Sequence, residues 1–266
     1  MQRADGCAPK ATPAPALCAY FQRKVQCRDE RTCGYEALLR VVRPDSEAGD
    51  PATFLSGLLA LHGPEREVRH VALFDYMLQR ARAVHAACGL PVSVNAPPFL
   101  LENAAWVDRM TGDNGDGVTV EILEKVRIDS YAAVNEAIDR LHAAGYGIAM
   151  DDFGSAYATG ARLLRLRGLD EVKVDRNVIA EAALGHTDTL ADAVDAIHAT
   201  GATATAEGVE TMGQRTLCFA AGVDEIQGFL YGKPQPWPWN GQAEAELAVV
   251  QTPWEQAQAR RARPAA

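Results

Sequence analysis

Short apolar runs recur along the chain, and most of them end on a polar residue. Eight read as strands, at residues 19–25, 34–41, 91–95, 118–121, 146–150, 172–175, 203–208 and 223–228. Between them, residues 54–61 and 71–87 show helical periodicity, with Leu73, Met77 and Leu78 among the apolar positions. Residues 99–110 form another helical stretch. Ser130 can cap a helix whose positions Ala133, Ala137, Leu141 and Ala144 share one face, and residues 189–200 form a further helix that Gly201 can end. Strands separated by helices of this length imply parallel β/α units. The first two strands are the exception: about eight mostly polar residues join them, too few for a crossover helix, so that pair is expected to be antiparallel. The pattern predicts an α/β chain folded as a modified TIM (β/α)8 barrel with the first strand antiparallel to the rest. The expected division is an N-terminal tail at 1–18, the barrel at 19–235 and a C-terminal extension at 236–266.

The polar strand ends change the picture from fold to chemistry. In Met150-Asp151-Asp152-Phe153-Gly154 an apolar run delivers two adjacent carboxylates at its tip. Buried carboxylates are strongly disfavoured without a positive partner, and a divalent cation is the usual one. Taken alone, this stretch also reads as a solvated loop. The other runs behave alike, carrying Glu36 and Arg40, Asn95, Glu121 followed by Glu124, Lys173, Glu207 and Gln227. In a β/α barrel the C-terminal strand ends build the active site, which is where most of these residues fall.

Composition narrows the function classes. The 266 residues are 48% hydrophobic and 23% charged, ordinary for a globular chain. No stretch approaches the roughly 18 apolar residues of a membrane helix, and residues 1–17 lack a signal-peptide core, so no membrane role and a cytoplasmic location are expected. A net charge of −9 argues against binding long nucleic acid, whose affinity comes from Lys and Arg on phosphates, but leaves room for a small nucleotide held by metals. Cys7, Cys18, Cys27, Cys33, Cys88 and Cys218 form no Cys-x-x-Cys pair and have no His cluster beside them, which excludes a zinc site and implies free thiols. The Gly/Asp-rich stretch 111–117 lacks the alternating oxygens of a calcium loop and reads as a turn. Gly145-x-Gly147 precedes a strand rather than a helix and is no nucleotide fingerprint. Trp237, Trp239 and Trp254 are expected to pack the C-terminal extension on the barrel or to offer it to a protein partner.

Seven segments occur in an order that resembles one family. Glu36-Ala37-Leu38-Leu39-Arg40, Val94-Asn95, Glu121 with Glu124, Asp151-Asp152-Phe153-Gly154, Lys173-Val174-Asp175, Glu207-Gly208-Val209-Glu210-Thr211 and Gln227-Gly228-Phe229-Leu230 are similar to the motifs of the EAL-domain family of cyclic-di-GMP phosphodiesterases. The likeness runs from about Phe21 to Pro234. It implies hydrolysis of cyclic di-GMP to linear pGpG by water attacking in line at two metal ions, two per active site, with oxygen-only ligation favouring Mg²⁺ or Mn²⁺. The implied metal ligands are Glu36, Asn95, Glu121, Asp151, Asp152 and Glu207, with Asp151 bridging. Lys173 acts with Glu36 and Glu207 in catalysis. Arg40, Leu38, Gln22 and Gln227 are the implied substrate contacts, and Glu124 anchors the loop after Asp152. A homodimer through that loop is implied as well. On its strand alone Lys173 also reads as an outward surface lysine, and Arg40 as a partner for the same carboxylates.

The sequence departs from the family in places. Ala156 replaces a glycine in Ser155-Ala156-Tyr157, Leu123 replaces a threonine, Gln22-Arg23-Lys24 replaces Gln-Pro-Ile, and Val41 replaces a tryptophan. The segment between Asn95 and Glu121 is shorter than in the family. Every implied ligand is retained. The alternative reading is a weak or inactive member that acts as a cyclic-di-GMP receptor or protein-binding regulator. A proton-abstracting barrel enzyme of enolase type would also use carboxylates and a lysine, but it leaves Asp151-Asp152-Phe153-Gly154 unexplained.

Overall fold

The structure, a computed structural model, describes residues 16–43, 46–49, 52–155, 160–237 and 247–248. Expectations about Ala156, Tyr157, Trp239, Trp254 and the outer parts of both tails lie outside these residues. The chain divides into two units, one of residues 19–38 and 61–238, the other of residues 1–18, 39–60 and 239–266.

In the larger unit eight strands close into a barrel. They are β1 (Ala16–Gln26, from Ala19 on in this unit), β2 (Thr32–Arg43, up to Leu38), then β4 (Val92–Ala96), β5 (Val118–Ile122), β6 (Gly147–Phe153), β7 (Glu171–Val174), β8 (Thr203–Ala206) and β9 (Glu225–Gln227). Each of β4 to β9 pairs in parallel with its neighbour, β2 runs parallel to β4, and β1 lies antiparallel to β9 and closes the ring against β2. The predicted barrel with its reversed first strand is therefore the fold observed. The join between β1 and β2 is residues 27–31, tighter than the spacing suggested because both strands run longer. The smaller unit holds β3 (Ser46–Gly49), antiparallel to the end of β2, helix α1 (Ala52–Leu59), and β10 (Leu247–Ala248), antiparallel to the start of β1.

Alternation along the strands sorts the residues. Val92, Val94, Val120, Ile122, Ile148, Met150, Val172, Val174, Ala204, Ala206 and Ile226 are fully or nearly fully buried, and they form the apolar core between the strands and the surrounding helices. The alternate positions carry Gln22, Lys24, Glu36, Ser93, Glu121, Glu171, Lys173, Thr205 and Gln227, all buried. The barrel interior is thus polar, where most such barrels fill it with Val, Ile and Leu. One layer of it is an ion cluster: Lys24 Nζ lies 2.5 Å from Glu171 Oε2 and 3.8 Å from Glu225 Oε2, and Thr205 donates to Glu171 Oε1 at 2.7 Å.

The helices differ from expectation at their ends. Helix α2 (Gly63–Cys88) begins well before residue 71, because its first turns are held by Pro64 near the start and the Glu65–Arg69 pair rather than by apolar periodicity. The stretch at 99–110 breaks into α3 (Pro98–Leu101) and α4 (Ala104–Thr111), since the Asn103 side chain accepts from Trp106 N at 3.1 Å and starts a new helix. Ser130 caps α5 (Tyr131–Ala143) as expected, accepting from Ala133 N. Three short helices follow the next strands: α6 (Gly160–Arg165), α7 (Arg176–Ala183) and α8 (Thr187–His198). Ala199, not Gly201, caps α8, and α9 (Met212–Ala220) follows β8. Trp237 packs edge-on against Tyr35 and Phe21, with ring centroids 5.1 and 6.1 Å apart. The five described cysteines, Cys18, Cys27, Cys33, Cys88 and Cys218, are in no disulfide. Among the described residues no helix is long and apolar enough to cross a membrane.

Candidate functional site

At the C-terminal ends of the strands one buried lysine gathers the carboxylates. Lys173, on β7 and 1% exposed, places Nζ 2.5 Å from Glu121 Oε1, 2.5 Å from Glu207 Oε1, 3.1 Å from Asp151 Oδ1 and 3.3 Å from Glu36 Oε2. The four partners come from four elements: Glu36 from β2, Glu121 from β5, Asp151 from β6 and Glu207 from the residue after β8. Asn95 sits beside Glu121 in the β4–β5 register, and its Nδ2 donates to Glu36 Oε1 at 3.0 Å. Gln227 Nε2 donates to Glu36 Oε2 at 2.5 Å and to Gln22 Oε1 at 3.2 Å, while Gln22 Nε2 donates to Gly232 O at 3.0 Å. Both ends of the Gln22 amide are therefore held within the wall. Leu38 is half-buried two residues beyond Glu36. Arg40 belongs to the smaller unit, where its Nη1 donates to Leu39 O at 2.7 Å.

Adjacent residues of a regular strand point to opposite faces, so Asp151 and Asp152 need a local device to act together. The β6–β7 register slips by one residue between Met150 and Phe153, and Asp152 takes a left-handed φ of 50°. This bulge turns both carboxylates toward the cluster, at a backbone cost of roughly 1–3 kcal/mol. Gly154 follows with φ 94°, where a Cβ would come within 2.5 Å of Val178 Cγ2. Gly228 is needed for space instead, because a Cβ there would lie 2.0 Å from Val209 O. That close approach ties the loop after Glu207 to the strand carrying Gln227.

Glu124, Asp151 and Asp152 each bring one carboxylate oxygen within 4.8 Å of the others, and Lys125 Nζ lies 3.1 Å from Glu124 and 3.6 Å from Asp152. The backbone around Glu124 is gripped by Arg162, a residue that strand-end reasoning passes over. Its buried guanidinium donates to Leu123 O and Glu124 O, both at 2.8 Å, and to Val126 O at 3.3 Å.

The electrostatics show a site short of positive charge. Burial would push Lys173 down, but the charges of Asp151, Glu121, Glu207 and Glu36 outweigh it and hold the ammonium well above the usual lysine range. Glu121 is held well above its usual range by burial first and then by Glu36, more strongly than Lys173 can pull it down. Glu207 is likewise raised, by burial and then by Asp151 and Glu36. Burial, Asp151 and Glu124 push Asp152 up to about 7. Glu121 Oε2 is buried and has no hydrogen-bond partner among the described residues. Four carboxylates around Lys173 with Asp152 beside them, three of the five resisting ionisation and one with an orphaned oxygen, fit a bound hard cation better than any arrangement of the protein alone.

Comparison with known proteins places the arrangement. The sequence profile of the EAL domain matches residues 9–234. A bifunctional diguanylate cyclase/cyclic di-GMP phosphodiesterase, MucR of Pseudomonas aeruginosa, is 31% identical over 252 residues, which is 88% of this chain and 34% of that protein. A Caulobacter vibrioides signaling protein is 30% identical over 83% of this chain and 28% of its own length. The chain thus spans about a third of the curated relatives it matches. Among solved structures, the PaMucR phosphodiesterase in its c-di-GMP complex superposes with a TM-score of 0.68 at 26% identity, covering 84% of this chain and 93% of that one. An EAL domain protein from Listeria monocytogenes gives 0.72 at 22% identity over 83% and 89%, a likeness of fold. With its profile, its barrel and its strand-end motifs in agreement, the chain belongs to the EAL-domain family.

Proposed function

We propose that this chain hydrolyses cyclic di-GMP, opening one ester to give linear pGpG. The observation that carries the reading is the gathering of Glu36, Glu121, Asp151 and Glu207 around Lys173. In this reading Glu36, Asn95, Glu121 and Asp151 hold one ion, and Asp151, Asp152 and Glu207 hold a second, the ions being Mg²⁺ or Mn²⁺. When bound, the ions supply a water-derived nucleophile at neutral pH and neutralise the phosphoryl oxygens.

The chain's own residues do the rest. Lys173, kept cationic by its carboxylates, orients the attacking water and stabilises charge on the phosphorus centre. Arg40 grips a phosphate through its guanidinium fork. Leu38 and Gln22 line the nucleotide, and Gln227 keeps Glu36 in place through their short hydrogen bond. Glu124 anchors the loop after Asp152, through which a homodimer forms, and Arg162 holds the backbone of residues 123–126 that carries Glu124. Water oxygen adds to phosphorus, the P–O3′ bond breaks, and the 3′ oxygen takes a proton, leaving pGpG with a 5′ phosphate and a free 3′ hydroxyl.

The test is incubation of the protein with cyclic di-GMP and Mg²⁺ or Mn²⁺, followed by chromatography, beside Glu36→Ala. Production of pGpG by the unsubstituted protein alone supports both reaction and site. Equal turnover by Glu36→Ala sinks the site assignment, and nucleotide binding with no product turns the chain into a receptor.

A further inference from the structure

A second cleft lies on the opposite face of β1. Gln22 and Lys24 are buried in the barrel, so Phe21, itself buried, and the exposed Arg23 point away from the barrel interior. With Tyr35, Tyr231, Lys233 and Trp237 they line a cleft of about 380 Å³ that shares no residue with the cluster around Lys173. Its aromatic wall is ordered: Trp237 stands at 90° to Tyr35 and 79° to Phe21. Two cations flank it. Arg23 donates Nε to Tyr231 O and lies 5.9 Å from the Tyr231 ring centroid, which leaves its terminal nitrogens without a carboxylate among the described residues. Lys233 reaches only the Phe229 ring, 5.4 Å from its centroid, and it too has no acidic partner among those residues.

In a chain of net charge −9, two unneutralised cations beside an aromatic wall specify a ligand. A guanidinium whose paired nitrogens are free matches phosphate oxygens bidentately, and an adjacent ammonium suits a dianion. Trp and Tyr side chains accept a planar ring by stacking or edge contact, with little preference among bases. The volume lies at the low end of ligand pockets, roughly 300–1,000 Å³, which suits one nucleotide rather than a cyclic pair. We propose that this cleft is a second binding site, for a planar aromatic ring carrying a phosphate, of the nucleoside monophosphate class.

The test is calorimetric titration of guanosine 5′-monophosphate into the full chain in EDTA, so that no cation recruits the nucleotide to the barrel site. The readout is binding, which is independent of hydrolysis. One equivalent should bind and persist in excess cyclic di-GMP. Arg23→Ala and Lys233→Ala, both at exposed positions, should each weaken it about tenfold, the loss of one charge-assisted contact. Trp237→Leu should weaken it too, with thermal melts confirming the fold of each variant. No binding at millimolar nucleotide overturns the proposal. So does binding that survives both cation substitutions, or binding that cyclic di-GMP displaces.

Discussion

Replacing Lys24 with methionine tests whether the polar barrel interior is held by charge pairing. The Lys24 and Glu171 side chains are 6% and 10% exposed with 2.5 Å between Nζ and Oε2. Removing the cation leaves Glu171 with the Thr205 hydroxyl and the more distant charge of Lys173, and leaves Glu225 with no ion pair among the described residues. Breaking a buried pair from one side costs about 3–5 kcal/mol, whereas replacing both partners by apolar groups is often neutral. Lys24→Met should therefore lose about 3–5 kcal/mol, and Lys24→Met/Glu171→Leu should recover at least about 2 of it. With a urea slope of about 2–3 kcal/mol/M, the single variant's midpoint falls by roughly 1–2.5 M. The pH dependence has a definite sign. Burial would raise Glu171 but Lys24 outweighs it and holds the carboxyl below its usual range, so its share of stability is present above pH 4.5 and lost as pH falls through the depressed value. Lys24, lowered by burial but raised further by Glu171 and Glu225, contributes below pH 10.5 and loses its share as pH rises through the raised value. The gap between wild type and single variant is thus widest between those limits. A loss under about 1 kcal/mol, or a double variant worse than Lys24→Met, would refute the reasoning.

Other outcomes follow from the same geometry. Burial and neighbouring carboxylates hold Asp152 near 7, so the folded chain keeps that proton more tightly than the unfolded one, and its contribution to stability falls as pH rises from about 4 through about 7. Mn²⁺ competes with that proton, so at a fixed concentration 100 times its pH 8 dissociation constant it should raise Tm by about 5–10 °C at pH 8 and by much less at pH 5.5. An equal shift at both pH values would contradict the site. Arg162→Met strands the carbonyls of Leu123 and Glu124, which should cost about 2–4 kcal/mol in thermal unfolding and weaken Mn²⁺ binding. Unchanged Mn²⁺ affinity in that variant would detach the Glu124 loop from the site. Gly154→Ala must fit a Cβ into the Val178 side chain at φ 94°, so it should lower both Tm and Mn²⁺ affinity; wild-type values would show that the bulge does not depend on glycine.

The barrel and most of the cluster were legible because a polar residue at the end of a buried strand has few tolerable explanations. Asn95, Glu121, Asp151, Lys173, Glu207 and Gln227 lie at or close to strand ends, and Glu36 shows instead as a carboxylate inside an apolar run. Long-range pairing was not legible: Lys24 stands out in its strand, but its partner is 147 residues away, and nothing local names Glu171. The left-handed backbone of Asp152 and the one-residue slip beside it leave no composition signal. Arg162 reads as ordinary helix surface until its carbonyl partners are placed. Helix α9 could have been found, since Thr211 and Gln214 form a capping box in which each side chain accepts from the other's backbone N–H. Helix α7 had a weaker signal, the Asp175 cap accepting from Asn177 N.

Hydrolysis of cyclic di-GMP in ¹⁸O-labelled water, with Mn²⁺ and analysis of the nucleotides by mass spectrometry, joins the cluster around Lys173 to its chemistry. The expected product is pGpG bearing one heavy oxygen on its 5′ phosphate, formed by the unsubstituted protein and absent with Glu207→Gln. Intact cyclic di-GMP after prolonged incubation, from protein that binds Mn²⁺, would contradict the assignment.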